Sequence, residues 1–324
     1  MQLQPIKFTP ILKEKIWGGT KLIELLDKKT TSNKLGESWE ISSVKNDISV
    51  VSFGNDIGKT LTELIELYKG DLVGEKVYAQ FGNEFPLLIK FIDAKENLSI
   101  QLHPNDELAQ KRHDCFGKTE MWYVMQADKN AELIVGFKKK VSKKEYVSYL
   151  EKNEIKSILN ADKVTKGDVY FLETGTVHAI CAGVMIAEIQ QTSDITYRIY
   201  DWNRKDDQGN YRELHTENAI DAINFEVKNS YKTDYKVTEN KSELMVACPY
   251  FTTNILQISE KVAINTKSKD SFIIYMCVKG NVIFATENNL ITLNYGETIL
   301  IPNNLEEFEI ISKEASELLE IYID

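Results

Sequence analysis

Two stretches of this 324-residue chain repeat one pattern without gaps. Gly167–His178 (GDVYFLETGTVH) aligns with Gly296–Glu307 (GETILIPNNLEE): glycine, an acid, an apolar strand, then a polar turn. An apolar strand precedes each copy, Met121–Met125 in one and Phe272–Val278 in the other. Most of the remaining chain reads as short strands bounded by turn residues, including Trp39–Ser42, Ile48–Phe53, Phe85–Phe91, Trp122–Met125 and Val169–Leu172. Three segments read as helices instead: Thr60–Tyr68, Ser142–Leu159 and Thr216–Phe225. Ser142, with Glu145 three residues on, has the form of a capping box. Many short strands and few helices predict a mainly β fold, a sandwich or barrel, arranged as two modules.

The first module holds the chemistry. Only four histidines occur, none beyond His215; the first repeat ends on His178 and the second on Glu307. LSIQLHPND (98–106) alternates apolar and polar residues, which puts Ser99, Gln101 and His103 on one face of a strand. GKTEMWYV does the same with Lys118, Glu120 and Trp122. AEIQQTSDITYRIYDW places Glu188, Gln190, Thr192, Asp194, Thr196 and Arg198 on one face. Tryptophan, histidine, glutamine and isolated charges suit the polar lining of a barrel better than an outer surface.

His103, Glu120 and His178 form a two-imidazole, one-carboxylate set suited to zinc with an open position, and Gln101 offers an amide oxygen beside them. His113, in the polar loop NDELAQKRHDCFGK, and His215, at a helix start, read as structural. Near the candidate ligands stand cations. Lys118 shares the face of Glu120, Arg198 ends the third polar face, and Lys90 interrupts the apolar run FPLLIKFI. A buried lysine is costly unless it meets an anion. Together with the Ser99 hydroxyl, these groups suggest a phosphorylated or carboxylated substrate that can chelate a metal.

The bulk properties narrow the class. A net charge of −10 disfavours a nucleic-acid partner. No run approaches the ~18 apolar residues of a membrane span, and MQLQPIKFTP lacks the apolar core of a signal peptide. Cys115, Cys181, Cys248 and Cys277 are widely spaced, as expected of free thiols in a reducing cytoplasm.

QLHP, GKTEMWYV, GTVHAI and SDITYR, in this order, together with KIWGG and GESWEIS, resemble the type I mannose-6-phosphate isomerases of the cupin superfamily, in their compact bacterial form. The resemblance implies two cupin-type (jelly-roll) β-barrel modules with a few helical insertions. Residues 1–227 would form the catalytic module and 228–324 a degenerate one without metal ligands. It implies reversible conversion of mannose 6-phosphate and fructose 6-phosphate, one zinc ion per chain, and a sugar phosphate as the small-molecule partner. The metal ligands would be Gln101, His103, Glu120 and His178. The substrate would be lined by Trp17, Lys90, Ser99, Lys118, Glu188 and Asp194, with Arg198 catalytic. Two departures stand out: Glu173 replaces the usual proline of the cupin turn, and Arg198 is followed by IYDWNRKD, which leaves a second basic contact, such as Arg204, open.

Isomerisation moves a proton between neighbouring carbons through an enediol-type intermediate. Arg198 would stabilise the developing oxyanion. Glu188 is the first candidate for the base, Asp194 the second and a zinc-bound hydroxide the third. Two other classes compete: a cupin iron oxygenase, which would leave Lys90, Lys118 and Arg198 unexplained, and a non-catalytic sugar-phosphate binder.

Overall fold

The computed structural model describes residues 2–206 and 208–324. Its N-terminal part is built on two antiparallel sheets. Six strands run in the spatial order Val169–Leu172, Glu120–Ala127, Val184–Gln191, Leu87–Ala94, Ile11–Gly19 and Leu35–Ile41. Five run in the order Leu159–Lys163, Glu132–Phe137, His178–Ile180, Ile100–Leu102 and Tyr197–Tyr200. Strand alternation sends every second side chain between the sheets. There Ile92, Trp122, Val124 and Ile186 of one sheet pack against Leu133, Val135 and Ile180 of the other. The C-terminal part has a five-stranded and a four-stranded sheet.

The repeat recurs in this architecture. Val169–Leu172 and Thr298–Ile301 are each an edge strand, paired with Glu120–Ala127 and Ile273–Lys279 respectively. Gly167 and Gly296 both turn with positive φ, at 92° and 79°. Each donates its N–H across the ladder, to Val124 O and Cys277 O, at 2.8 Å in both cases. Beyond that point the copies differ. His178 enters the interior, whereas Glu307 is exposed and pairs with Lys267 at 3.2 Å. In the second interior Phe284 and Phe308 stack and Tyr275 packs against both.

One core joins the two parts. The outer face of the six-stranded sheet (Phe91, Met121, Tyr123, Ile189) belongs to the same cluster as Phe272, Ile274, Leu319 and Ile321. Phe85 and Phe272 meet with ring centroids 4.6 Å apart, both fully buried. Ile6 and Leu300 exchange backbone hydrogen bonds at 2.8 and 2.9 Å, which laces the N-terminal segment onto the second part.

Some local expectations change. AEIQQTSDITYRIYDW is two strands in two different sheets, Val184–Gln191 and Tyr197–Tyr200, joined by a corner. Side chains tie the corner down: Gln190 Nε2 donates to Gln191 O and Ser193 O within it, and Thr192 Oγ1 donates to Phe85 O beside it. The capping box forms at Ser142 and Glu145, but its helix stops at Glu151, because Asn153 turns left-handed with φ 58°. A 3₁₀ turn and the strand Leu159–Lys163 follow. Ile48–Phe53 breaks into two two-residue strands. Asp106–His113, expected as a loop, is a helix capped by Asn105, with acids in its first turn and Lys111, Arg112 and His113 in its last. It buries only Ala109, so it carries no apolar periodicity to read.

Phe272→Ala should lower unfolding free energy by about 3–5 kcal/mol in urea titration, as expected for an aromatic deleted from a packed core. A loss below about 1 kcal/mol would show that this contact does not join the two parts.

Candidate functional site

His103, Glu120 and His178 come together between the facing sheets, with one ligand atom of each within 4.8 Å of the others. His178 opens its strand directly opposite Gln101, and His103 follows Ile100–Leu102; Glu120 opens a strand of the other sheet. Each histidine is held by its far nitrogen. His103 Nδ1 lies 2.8 Å from Ile195 O, and His178 Nδ1 lies 2.8 Å from Thr176 O. A carbonyl accepts only, so both rings carry their proton on Nδ1 and aim the Nε2 lone pair inward. Each Nε2 then sits 3.4 Å from a Glu120 oxygen with no hydrogen to give it. His103 Nε2 and both Glu120 oxygens are buried without a hydrogen-bond partner.

The electrostatics fit the same reading. Burial, with the Lys118 ammonium nearby, pushes His103 down to about 3, and burial also lowers His178. Both are neutral at pH 7. Burial alone would raise the Glu120 carboxyl, but the Lys118 ammonium, 3.3 Å away, holds it well below the usual carboxylate range. Two neutral imidazoles and one carboxylate, with ligand atoms within 4.8 Å of one another and with His103 Nε2 and both Glu120 oxygens unsatisfied, could hold a divalent ion.

A cavity of about 550 Å³ opens beside this trio. Ser99, Gln101, Lys90, Lys118, Trp17, Glu188, Asp194 and Arg198 all line it, as does His178. Lys90 is buried in mid-strand and does meet an anion, Glu188, at 3.1 Å. Burial alone would lower Lys90, but Glu188 and Glu37 outweigh it and raise its pKa. Glu188 also accepts from Trp122 Nε1 at 2.8 Å. Cross-strand register sets this belt, since Glu188 pairs with both Lys90 and Trp122, and Trp39 pairs with Lys90. Asp194 is exposed, on the corner between the two sheets.

Arg198 faces the cavity differently. Nε donates to Ser99 Oγ at 3.3 Å and Nη1 to Glu213 O at 3.0 Å. Among the described residues it has no carboxylate at ion-pair distance. Burial and the neighbouring Arg212 guanidinium both lower its pKa. Ser99 in turn donates to Gln101 Oε1 at 3.1 Å, and Gln101 Nε2 lies 3.5 Å from His178 Nε2. A continuous polar chain therefore runs from Arg198 to His178.

The cavity also holds residues the sequence did not single out: Lys13, Lys15, Glu37, Trp39 and Arg212. The signal was present, since Lys13, Lys15 and Trp17 alternate in KEKIW, and Glu37 and Trp39 in ESW. Lys15 pairs with Glu37 at 3.5 Å and Lys13 with Asp47. Arg204 instead pairs with Asp201 and Glu96 and does not line the cavity; Arg212 takes that side. His113 and His215 line it too, the first 2.9 Å from Tyr197 Oη and the second accepting from the Arg198 N–H. Glu173, in the variant turn, pairs with Lys228 at 2.6 Å.

These features define a β-rich fold with a candidate metal centre at the floor of a cation-walled cavity. The family model for the type I phosphomannose isomerase catalytic domain matches residues 6–152, and that for the mannose-6-phosphate isomerase cupin domain matches residues 240–317. The chain is 34% identical to the mannose-6-phosphate isomerase ManA of Bacillus subtilis, over 96% of each chain. It is also 34% identical to the mannose-6-phosphate isomerase of Streptococcus mutans, over 94% of this chain and 95% of that one. The crystal structure of the mannose 6-phosphate isomerase from Bacillus subtilis superposes with TM-score 0.90 at 33% identity, covering 99% of this chain and 100% of that one. The chain belongs to the type I phosphomannose isomerase family, a family of enzymes. No helix among the described residues is long and apolar enough to cross a membrane.

Stripped of metal, the protein should lose stability as pH falls from about 6.5 toward 3, because the unfolded chain takes up a proton at His103 that the folded chain refuses. His103→Gln should flatten that pH dependence in urea titrations. An unchanged profile would show that His103 is not held neutral.

Proposed function

We propose that the chain interconverts mannose 6-phosphate and fructose 6-phosphate with one zinc ion, held by His103, Glu120, His178 and the amide oxygen of Gln101. The observation that carries this is the buried His103–Glu120–His178 trio, with His103 Nε2 and both Glu120 oxygens unsatisfied, beside a cavity whose wall holds a guanidinium without a carboxylate partner among the described residues. Turning the Gln101 amide by 180° exchanges its oxygen and nitrogen and puts the oxygen on the His178 side. Zinc, when bound, supplies Lewis acidity toward the sugar's carbonyl and hydroxyl oxygens.

The chain's own residues do the rest. Arg198, with Arg212 behind it, gives a permanent positive charge where an oxyanion or phosphate has no competing carboxylate. Ser99, fixed between Arg198 and Gln101, offers its hydroxyl at the same place. Lys118 stands over Glu120 and lines the cavity, so it bridges the metal side and the substrate side. Trp17 closes the apolar end next to Ile92 and Leu98. Glu188 is the base we propose for the carbon-bound proton. Lys90 and Trp122 lock its carboxylate in one orientation, which proton abstraction at carbon requires. Asp194, on the corner, is the alternative. The enediol-type intermediate would lie between this carboxylate and Arg198. Residues 1–227 form the catalytic module in this reading, and 228–324 the metal-free one.

Incubated with mannose 6-phosphate in deuterated water, the zinc-loaded protein should yield fructose 6-phosphate, with deuterium entering the product; unphosphorylated mannose should turn over far more slowly. Absence of product with zinc bound would leave only a binding role. Arg198→Ala should lower kcat by about 10²–10³-fold, as for loss of an oxyanion donor. Glu188→Gln should abolish product formation and deuterium exchange, while Asp194→Asn keeps both; the reverse pattern would move the base to Asp194.

A further inference from the structure

Lys118 lies in the loop between the helix Asp106–His113 and the strand that begins at Glu120. Hydrogen bonds fix this loop. Gly117 N–H donates to Asp106 Oδ1 at 2.8 Å, Lys118 N–H to Pro104 O at 3.3 Å, and Thr119 N–H to Gln191 Oε1 at 2.8 Å. Gln191 Nε2 closes the circuit on Asp106 Oδ1 at 3.0 Å. Gly117 is needed here, because a Cβ would come within 2.6 Å of the Asp106 nitrogen. The remaining oxygen, Asp106 Oδ2, accepts from Tyr250 Oη at 2.7 Å.

Tyr250 comes from the other part of the molecule. It sits in the turn between the strands Ser242–Ala247 and Thr252–Ile258. That turn contains Pro249 and is closed by Cys248 N–H on Phe251 O at 3.0 Å. The Tyr250 ring packs against the core shared by both parts. Burial and the Asp106 carboxylate push the Tyr250 phenol up to about 12, so it remains a donor.

We infer that Tyr250 is a positioning residue for the active site: through Asp106 and Gln191 it sets the place of the Lys118 ammonium. The C-terminal part, which has no candidate metal-ligand cluster among the described residues, reaches the Lys118 loop through this hydroxyl. The inference rests on Lys118 belonging to the isomerase site. Small displacements of a group that acts on the transition state lower turnover more than binding.

The test uses the full-length zinc-loaded protein, with lysines dimethylated by ¹³C-formaldehyde and the Lys118 resonance assigned as the one missing in Lys118→Arg. Tyr250→Phe should shift that resonance, lower kcat about tenfold and change KM less than about twofold. Asp106→Asn, which keeps the shape of the carboxylate, should shift it in the same way. In the Lys118→Arg background Tyr250→Phe should have no further effect on kcat. An unmoved resonance, or rate losses that multiply in the double variant, would overturn the inference. If the unsubstituted protein does not isomerise mannose 6-phosphate, the proposed function fails, while the resonance still decides whether Tyr250 positions Lys118.

Discussion

A carboxylate buried between two sheets is the constraint on which the site depends. Glu120 is 1% exposed and neither of its oxygens has a hydrogen-bond partner. A charge in that position needs compensation from close range. Lys118 supplies part of it, and the inward lone pairs of His103 and His178 supply none; they add to the negative potential at the same point. In the proposed reading, a cation between its members supplies the remaining compensation. Its geometry is held from behind, by Ile195 O and Thr176 O on the histidines. Such outer hydrogen bonds fix tautomer and ring orientation before any ion arrives.

The rest of the cavity follows the same pattern of neighbours in register. Trp122, Glu188, Lys90 and Trp39 stand side by side on adjacent strands, so one charge pair is flanked by two indoles. Lys13, Lys15, Lys90 and Lys118 each have a carboxylate; Arg198 has none among the described residues. An incoming anion therefore meets one guanidinium whose charge is unspent. The overall charge of −10 does not oppose this, because the field inside the cavity is set by the groups within it.

What was legible in the sequence was whatever alternation or repetition encodes. The glycine–acid–strand repeat gave equivalent turns at Gly167 and Gly296, with the same ladder hydrogen bonds. LSIQLHPND placed Ser99 and Gln101 on the cavity and His103 in the trio, although the strand itself spans only Ile100–Leu102. The face from Glu188 to Arg198 is not one strand, since a corner at 192–196 sends its two ends to different sheets, yet Glu188, Asp194, Thr196 and Arg198 still line one cavity. That corner is stabilised by side-chain-to-backbone bonds from Gln190 and Thr192, which no periodicity announces. Asp106–His113 was hidden for the opposite reason: its helix rests on a cap and ordered charges, and it buries a single alanine. Tyr250 was beyond reach, because its link to Asp106 spans 144 residues of sequence.

The central claim is that the His103–Glu120–His178 point holds the metal on which the cavity's chemistry turns. Anomalous diffraction at the zinc edge, on crystals of zinc-reconstituted protein soaked with mannose 6-phosphate, tests it most directly. The account predicts one peak within about 2.0–2.2 Å of His103 Nε2, His178 Nε2 and a Glu120 oxygen, with sugar density between it and Arg198. A peak elsewhere, or none at that point in zinc-loaded crystals, would contradict it.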